Sequence, residues 1–200
     1  GLVAGSVWAG WLLRPEFGML LAGYVLLTAA YSAVLKHVVI VDLLAIAAGF
    51  VLRAVAGAVV IGVRISPWLL VCTTLLALFL GLAKRRSELN ALEANALGHR
   101  RTLGDYTAPM LDQMLNIAAA TALMAYFLYT FAPGSTTATR HPYMMITVPF
   151  VIYGLFRYLF LIHTRNAGSS PERVLLEDRP MLLNMILYVI AVMVALRLPG

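Results

Sequence analysis

With 62% hydrophobic and 12% charged residues over 200 positions, the chain is far more apolar than a soluble domain, where roughly half the residues are apolar and a quarter charged; a water-soluble globule is excluded. A net charge of +6 in a soluble protein would suggest nucleic acid, but here the basic residues lie between apolar runs and report membrane topology first, so no nucleic-acid partner is expected. The single cysteine, Cys72, lies in an apolar run, which leaves no intrachain disulfide and no paired-thiol metal or redox site.

A bilayer crossing takes about 20 apolar residues, so the chain has room for roughly seven passes in one membrane-embedded, all-α domain over residues 1–200. Apolar runs bounded by charge, Pro and Gly place these spans at about 2–13, 16–35, 42–63, 67–83, 107–131, 143–163 and 180–197. The first is short, and Gly1 runs directly into LVAGSVWAGWLL, so the chain is expected to begin inside a span. If the second span ends in the cytoplasm, the inner connections hold Lys36, Lys84, Arg85, Arg86, Arg100, Arg101, Arg165, Arg173 and Arg179, against Arg14, Arg64, Arg140 and Arg197 outside. That asymmetry follows the positive-inside rule and predicts a multi-pass protein of the cell membrane with its C-terminus outside. Trp8, Trp11 and Trp68 then fall at the outer headgroup layer. The acidic residues are equally lopsided, with Glu16 alone on the outer half, so the cytoplasmic face is the chemically equipped one.

Taken in chain order, Tyr31, Lys36 and Asp42 surround the tight inner turn between the second and third spans. Gly49, Arg53 and Gly57 follow at i, i+4 and i+8, so small residues flank one guanidinium. An intramembrane Arg is expected to face the bundle interior, bound to a lipid phosphate or held in a structural ion pair. The segment KRRSELNALEANALGHRRTLGDY, residues 84–106, is the longest non-membrane stretch; its mixed charge suits a polyanion and its metal ion, or else a solvated amphipathic helix. Lys84 and Glu88 share a helix face. Asp105, Asp112 and Asn116 fall on one face entering the next span, where acidic groups need a partner or an aqueous cavity; interhelical hydrogen bonding is the alternative. Arg157, near the inner end of its span, is read as snorkelling to the headgroups. Arg173, Glu177, Asp178 and Arg179 form a last inner cluster ahead of Pro180. No HExxH, P-loop or nucleophile-elbow pattern is present.

The blocks YSAVLKH with VDLLAIAAGFVLRAVAG, then LGLAKRRSEL, RRTLGDY and LLEDRP, resemble the UbiA prenyltransferase superfamily over nearly the whole chain, and within it the decaprenyl-phosphate phosphoribosyltransferase branch. Aromatic prenyltransferases of the superfamily carry an aspartate-rich DxxxD where this chain has KRRSELNALE, a loss of acid and gain of cation that suits a phosphate-bearing second substrate. The resemblance implies a nine-helix bundle, of which about seven spans are present. It also implies an Mg²⁺- and diphosphate-binding NDxxDxxxD on the inner loop ahead of Gly1, and hence a segment inactive by itself.

The implied reaction is transfer of 5-phosphoribose from phosphoribosyl diphosphate to a polyprenyl phosphate, feeding cell-wall arabinan precursors. Under that reading Lys36, Asp42 and Glu88 are the catalytic candidates. Tyr31, Arg53, Lys84, Arg85, Arg101, Tyr106, Asp112 and Arg179 contact substrate. Asp42 and Glu88 are the metal candidates inside this chain, with the main Mg²⁺ ligands upstream. Partners are the two substrates and membrane lipids, with a homo-oligomer left open. The alternatives are a UbiA-type transferase joining a prenyl diphosphate to an aromatic acceptor, and a transporter or channel lined by Arg53, Asp112 and Asn116.

Overall fold

The computed structural model describes residues 2–63, 65–95, 106–131, 141–165 and 176–198, and among these every regular element is helical. The α-helices are α1 (Leu2–Leu13), α2 (Pro15–Ala33), α3 (Val41–Ile61), α4 (Pro67–Asn95), α5 (Ala108–Phe131), α6 (Val148–Arg165) and α7 (Arg179–Arg197). A 3₁₀ turn, Leu35–His37, joins α2 to α3, and a second, Pro142–Thr147, runs into α6. Six of these are long and apolar enough to cross a bilayer, so the chain is a multi-pass membrane protein. The expected seventh crossing falls short, because α1 has 12 residues and at 1.5 Å per residue reaches only about 18 Å.

The punctuation is chemical. Pro15, Pro67 and Pro180 each sit in a first helical turn, where a missing N–H costs nothing and the fixed φ is already helical. The α3 helix ends at Gly62, whose φ of 71° closes a left-handed cap with Val63 N–H donating to Ala58 O at 3.0 Å. Arg14 covers the same end, donating from Nη1 to Val59 O at 2.9 Å. At the α1–α2 hairpin a Cβ on Gly18 would run into the Trp11 indole, so glycine is what allows the two helices to touch.

Each helix packs on its chain neighbour, and α4 with α5 forms the most extensive pair. Inside a bilayer this packing is driven by van der Waals contact rather than by expulsion of water. Accordingly α5 presents Ala118, Ala119 and Ala122, all buried, against Phe79, Leu82 and Ala83 of α4 and Leu155, Tyr158 and Ile162 of α6. The Phe79 and Tyr158 rings meet at 5.5 Å. Many apolar side chains of α1, α2 and α7 remain exposed, Trp8 at 68% among them, as lipid-facing residues do.

Helix boundaries agree with the apolar runs to within a few residues, with one exception. The α4 helix continues from the expected end of the span near residue 83 through Asn95, so the first half of the non-membrane stretch is a helical extension of about 18 Å, as its reading as an amphipathic helix expects.

Candidate active site

Polar side chains gather at one end of the bundle, the end that holds the Leu35–His37 turn. Antiparallel packing sets the register. Asp42 on α3 meets Arg85 on α4, Arg86 meets Asp112 on α5, and Asp112 meets His163 on α6. From Pro67 to Arg85 the α4 axis rises about 27 Å, close to the roughly 30 Å of a bilayer's hydrocarbon core. The layer therefore lies at a membrane boundary rather than at mid-depth.

Four of the sequence candidates form one network there. Asp42 is 1% exposed and Arg85 4% exposed. Arg85 donates from Nε to Asp42 Oδ2 at 3.0 Å and from Nη1 to Glu88 Oε2 at 2.7 Å. The phenol of Tyr106 lies on the other Asp42 oxygen, donating to Oδ1 at 3.4 Å, and accepts the Ile40 N–H at 2.7 Å. Burial pushes the Tyr106 phenol up from its ordinary value; the Asp42 carboxylate adds to this, and the Ile40 N–H works against it.

Ile40 carries φ 69° and ψ −43°, a conformation that a β-branched residue adopts only under constraint. Val41 N–H reaches back to Val39 O at 2.8 Å across it, the i to i+2 bond of a γ-turn of the strained kind. A tight turn was expected between Lys36 and Asp42, but nothing in KHVVIVD signalled a positive φ at Ile40. Tyr106 holds it, and with it the start of α3.

A second network abuts the first. Arg86 binds Asp112 through Nε at 2.8 Å and Nη2 at 3.3 Å and also bonds to Asn90. His163 lies 3.4 Å from the same Asp112 oxygen, while its Nδ1 is 2.8 Å from Leu159 O. Arg86, Asn90 and His163 were not singled out as site residues. The sequence signal that could have found them was Asp112 itself, a carboxylate at a span entrance that requires a cation within reach.

The remaining candidates spread out. Lys36 sits half-buried in the 3₁₀ turn and Lys84 is exposed on α4. Tyr31 lies not at Asp42 but in a pocket with Tyr24 and Arg53. Arg53 is exposed rather than turned into a packed interior. It packs over the Tyr24 and Phe50 rings, at 5.0 and 5.3 Å from their centroids, and bonds to the Tyr24 hydroxyl, because the aromatic faces supply the electron density that a carboxylate would otherwise provide. Asn116 is exposed on α5 and Arg179 on α7. Arg157 does not snorkel freely: Asp178 binds it at 3.1 and 2.8 Å and also caps α7 through Met181 N–H at 3.0 Å. Arg100, Arg101, Asp105 and Arg173 lie outside the described residues.

As arranged, Asp42 and Glu88 do not fit a metal ion. Both Asp42 oxygens are engaged and a guanidinium occupies the space between the two carboxylates. Among the described residues no group of three acidic, His or Cys side chains is placed to hold a cation.

No family model matches the chain. It is similar to curated proteins named decaprenyl-phosphate phosphoribosyltransferase: 30% identical to that of Corynebacterium glutamicum over 86% of this chain and 52% of the relative. It is 28% identical to that of Mycobacterium tuberculosis over 87% and 56%, and 28% identical to that of Mycolicibacterium smegmatis over 89% and 58%. The chain thus spans about half the length of the curated relatives it matches.

Proposed function

We propose that the protein is a polyprenyl-phosphate phosphoribosyltransferase: it moves 5-phosphoribose from phosphoribosyl diphosphate to decaprenyl phosphate, or a similar lipid phosphate, and releases diphosphate. The observation that carries this reading is the similarity to proteins of that name along 86% or more of the chain. The clustering of Asp42, Arg85, Glu88 and Tyr106, drawn from three separate sequence blocks, supports it.

In the reaction, an oxygen of the lipid phosphate attacks the anomeric carbon, the bond from that carbon to the diphosphate breaks, and the diphosphate departs with the electron pair. The protein's task is to hold two polyanions close together and to stabilise the leaving group, which requires fixed positive charge. Lys36 in the turn and Lys84 on the exposed face of α4 are assigned to phosphate oxygens, as is Arg101, with Tyr31 as a hydrogen-bond donor. Arg85 is flanked by Asp42 and Glu88 and so is less available to an anion. Its role is to hold Glu88, whose carboxylate is only partly buried, where it accepts from a ribose hydroxyl. Mg²⁺ belongs to the proposal as a companion of the diphosphate, with no ligand set among the described residues. The reaction would face the cytoplasm across the plasma membrane, with the C-terminus outside, and its product would supply cell-wall arabinan synthesis.

The test is to give the protein in liposomes, in a form that includes the metal-binding segment expected ahead of Gly1, ribose-labelled phosphoribosyl diphosphate, Mg²⁺ and polyprenyl phosphate, and to follow label into the lipid phase. Label that disappears in Lys36→Ala and Glu88→Ala supports the assignment. No lipid label, with prenylation of an aromatic acid instead, moves the protein to aromatic prenyl transfer.

A further inference from the structure

Between α2 and α3 lies a pocket of about 180 Å³ that the polar-end network does not use. One wall is a stripe of hydroxyls, Tyr24, Thr28 and Tyr31, at i, i+4 and i+7 along α2. The facing wall, on α3, is Ala45, Gly49 and Arg53, at i, i+4 and i+8. Small side chains opposite hydroxyl-bearing ones leave a slot, and a guanidinium stands at one end of it. Gly49 adds no side chain to the slot; a Cβ there would meet the Tyr24 ring at 3.7 Å, an ordinary contact.

Depth makes the slot unusual. Arg53 is eleven positions beyond Asp42 on the same helix, about 16 Å further into the bundle, whereas Tyr31 lies in the last turns of α2 beside the 3₁₀ turn. The slot therefore leads from the polar end toward mid-membrane. A cation at that depth is costly unless it meets an anion or water, yet no carboxylate pairs with Arg53 among the described residues. Its contacts are the Tyr24 hydroxyl and two aromatic rings. These orient the guanidinium and offset part of its charge without neutralising it.

A pocket of about 180 Å³ is roomy enough for one phosphate group. We propose that the slot is a subsite for a terminal phosphomonoester, bound by Arg53 at its inner end with the Tyr31 and Thr28 hydroxyls along its length. This rests on the phosphoribosyl-transfer reading for the two substrates that carry such a group: the 5-phosphate of the sugar donor and the monophosphate of the lipid acceptor.

Calorimetric titration of the protein in detergent, with ribose 5-phosphate in one arm and farnesyl monophosphate in the other, separates the sources without requiring turnover. For the true source, Arg53→Gln weakens binding by roughly ten- to a hundredfold, the loss expected for hydrogen bonds to a charged group. Arg53→Lys recovers part of it, and the other probe is unaffected. Gly49→Leu, which fills the slot one turn along α3 from Arg53 and leaves the guanidinium in place, produces the same selective loss. Unchanged binding of both probes in an Arg53→Gln protein that melts like the wild type overturns the subsite, and so does an equal loss for both in Arg53→Gln with none in Gly49→Leu. Because these arms measure binding alone, a failure here with lipid labelling intact leaves the transferase reading standing, and the reverse result separates them equally well.

Discussion

Ile40 holds a strained turn that its own side chain does nothing to favour, and the support comes from a residue 66 positions away, the Tyr106 hydroxyl. Removing that hydroxyl leaves the Ile40 N–H without its acceptor, so Tyr106→Phe should destabilise the fold by about 1–3 kcal/mol. Ile40→Gly relieves a positive φ worth about 1–3 kcal/mol and should be neutral or stabilising, whereas glycine at Val41, where φ is ordinary, should cost stability; denaturant melts of the three variants in one detergent check the signs. The same phenol sets a pH dependence. Folding raises its pKa, so the neutral form is favoured and its contribution is fully present below about 10, the value of an exposed tyrosine. It is lost as pH rises through the folded value. Stability measured against pH should show a fall on the alkaline side that Tyr106→Phe lacks. Arg85 makes a second residue-scale case. Asp42→Ala leaves the buried Arg85 guanidinium with Glu88 as its remaining carboxylate and should cost about 1–3 kcal/mol, while the double change Asp42→Leu with Arg85→Met removes both charges and should cost less. A double cycle in which the pair is additive would count against the network.

Among the helices, the apolar runs and their proline and glycine ends were legible because membrane burial needs little more than length and hydropathy. The end of α4 was legible as one of two readings: KRRSELNALEAN suits a polyanion site or a solvated amphipathic helix, and the pairing of Arg85 and Arg86 with carboxylates on α3 and α5 fits its staying helical past the apolar boundary. Asp42, Arg85, Glu88 and Tyr106 could be named from their blocks, but their partners could not: ion pairs between helices depend on register, which residue spacing within one helix does not reveal. The α7 helix gives an element-scale test. Asp178 both caps it and holds Arg157, two functions that substitution can separate. Asn is as good a cap as Asp, so Asp178→Asn loses only the ion pair. Asp178→Ala loses the cap as well, at about 1 kcal/mol more. Amide exchange at Met181 should speed up in Asp178→Ala and stay slow in Asp178→Asn; equal exchange in both would mean that the cap contributes nothing.

For the molecule as a whole, two arrangements that share Arg85 and Arg86 point to the same end of the bundle. The basic residues between spans are concentrated on the side carrying Lys36, Lys84 and Arg86, and the packed ion pairs Asp42–Arg85 and Arg86–Asp112 lie at that same level. Charge asymmetry orients a chain during insertion, whereas ion pairs form only after the helices have packed, so their coincidence ties the folded site to one face of the membrane. With Cys72 as the only cysteine, the orientation can be read directly. In a Cys72→Ser background, cysteines placed at Lys84 and Glu177 should react with a membrane-impermeant maleimide only after the inner face is opened, and a cysteine at Tyr143 should react in intact cells. The reverse pattern would place the site outside, away from any cytosolic phosphoribosyl donor, and would remove the basis for the proposed reaction even with every ion pair intact.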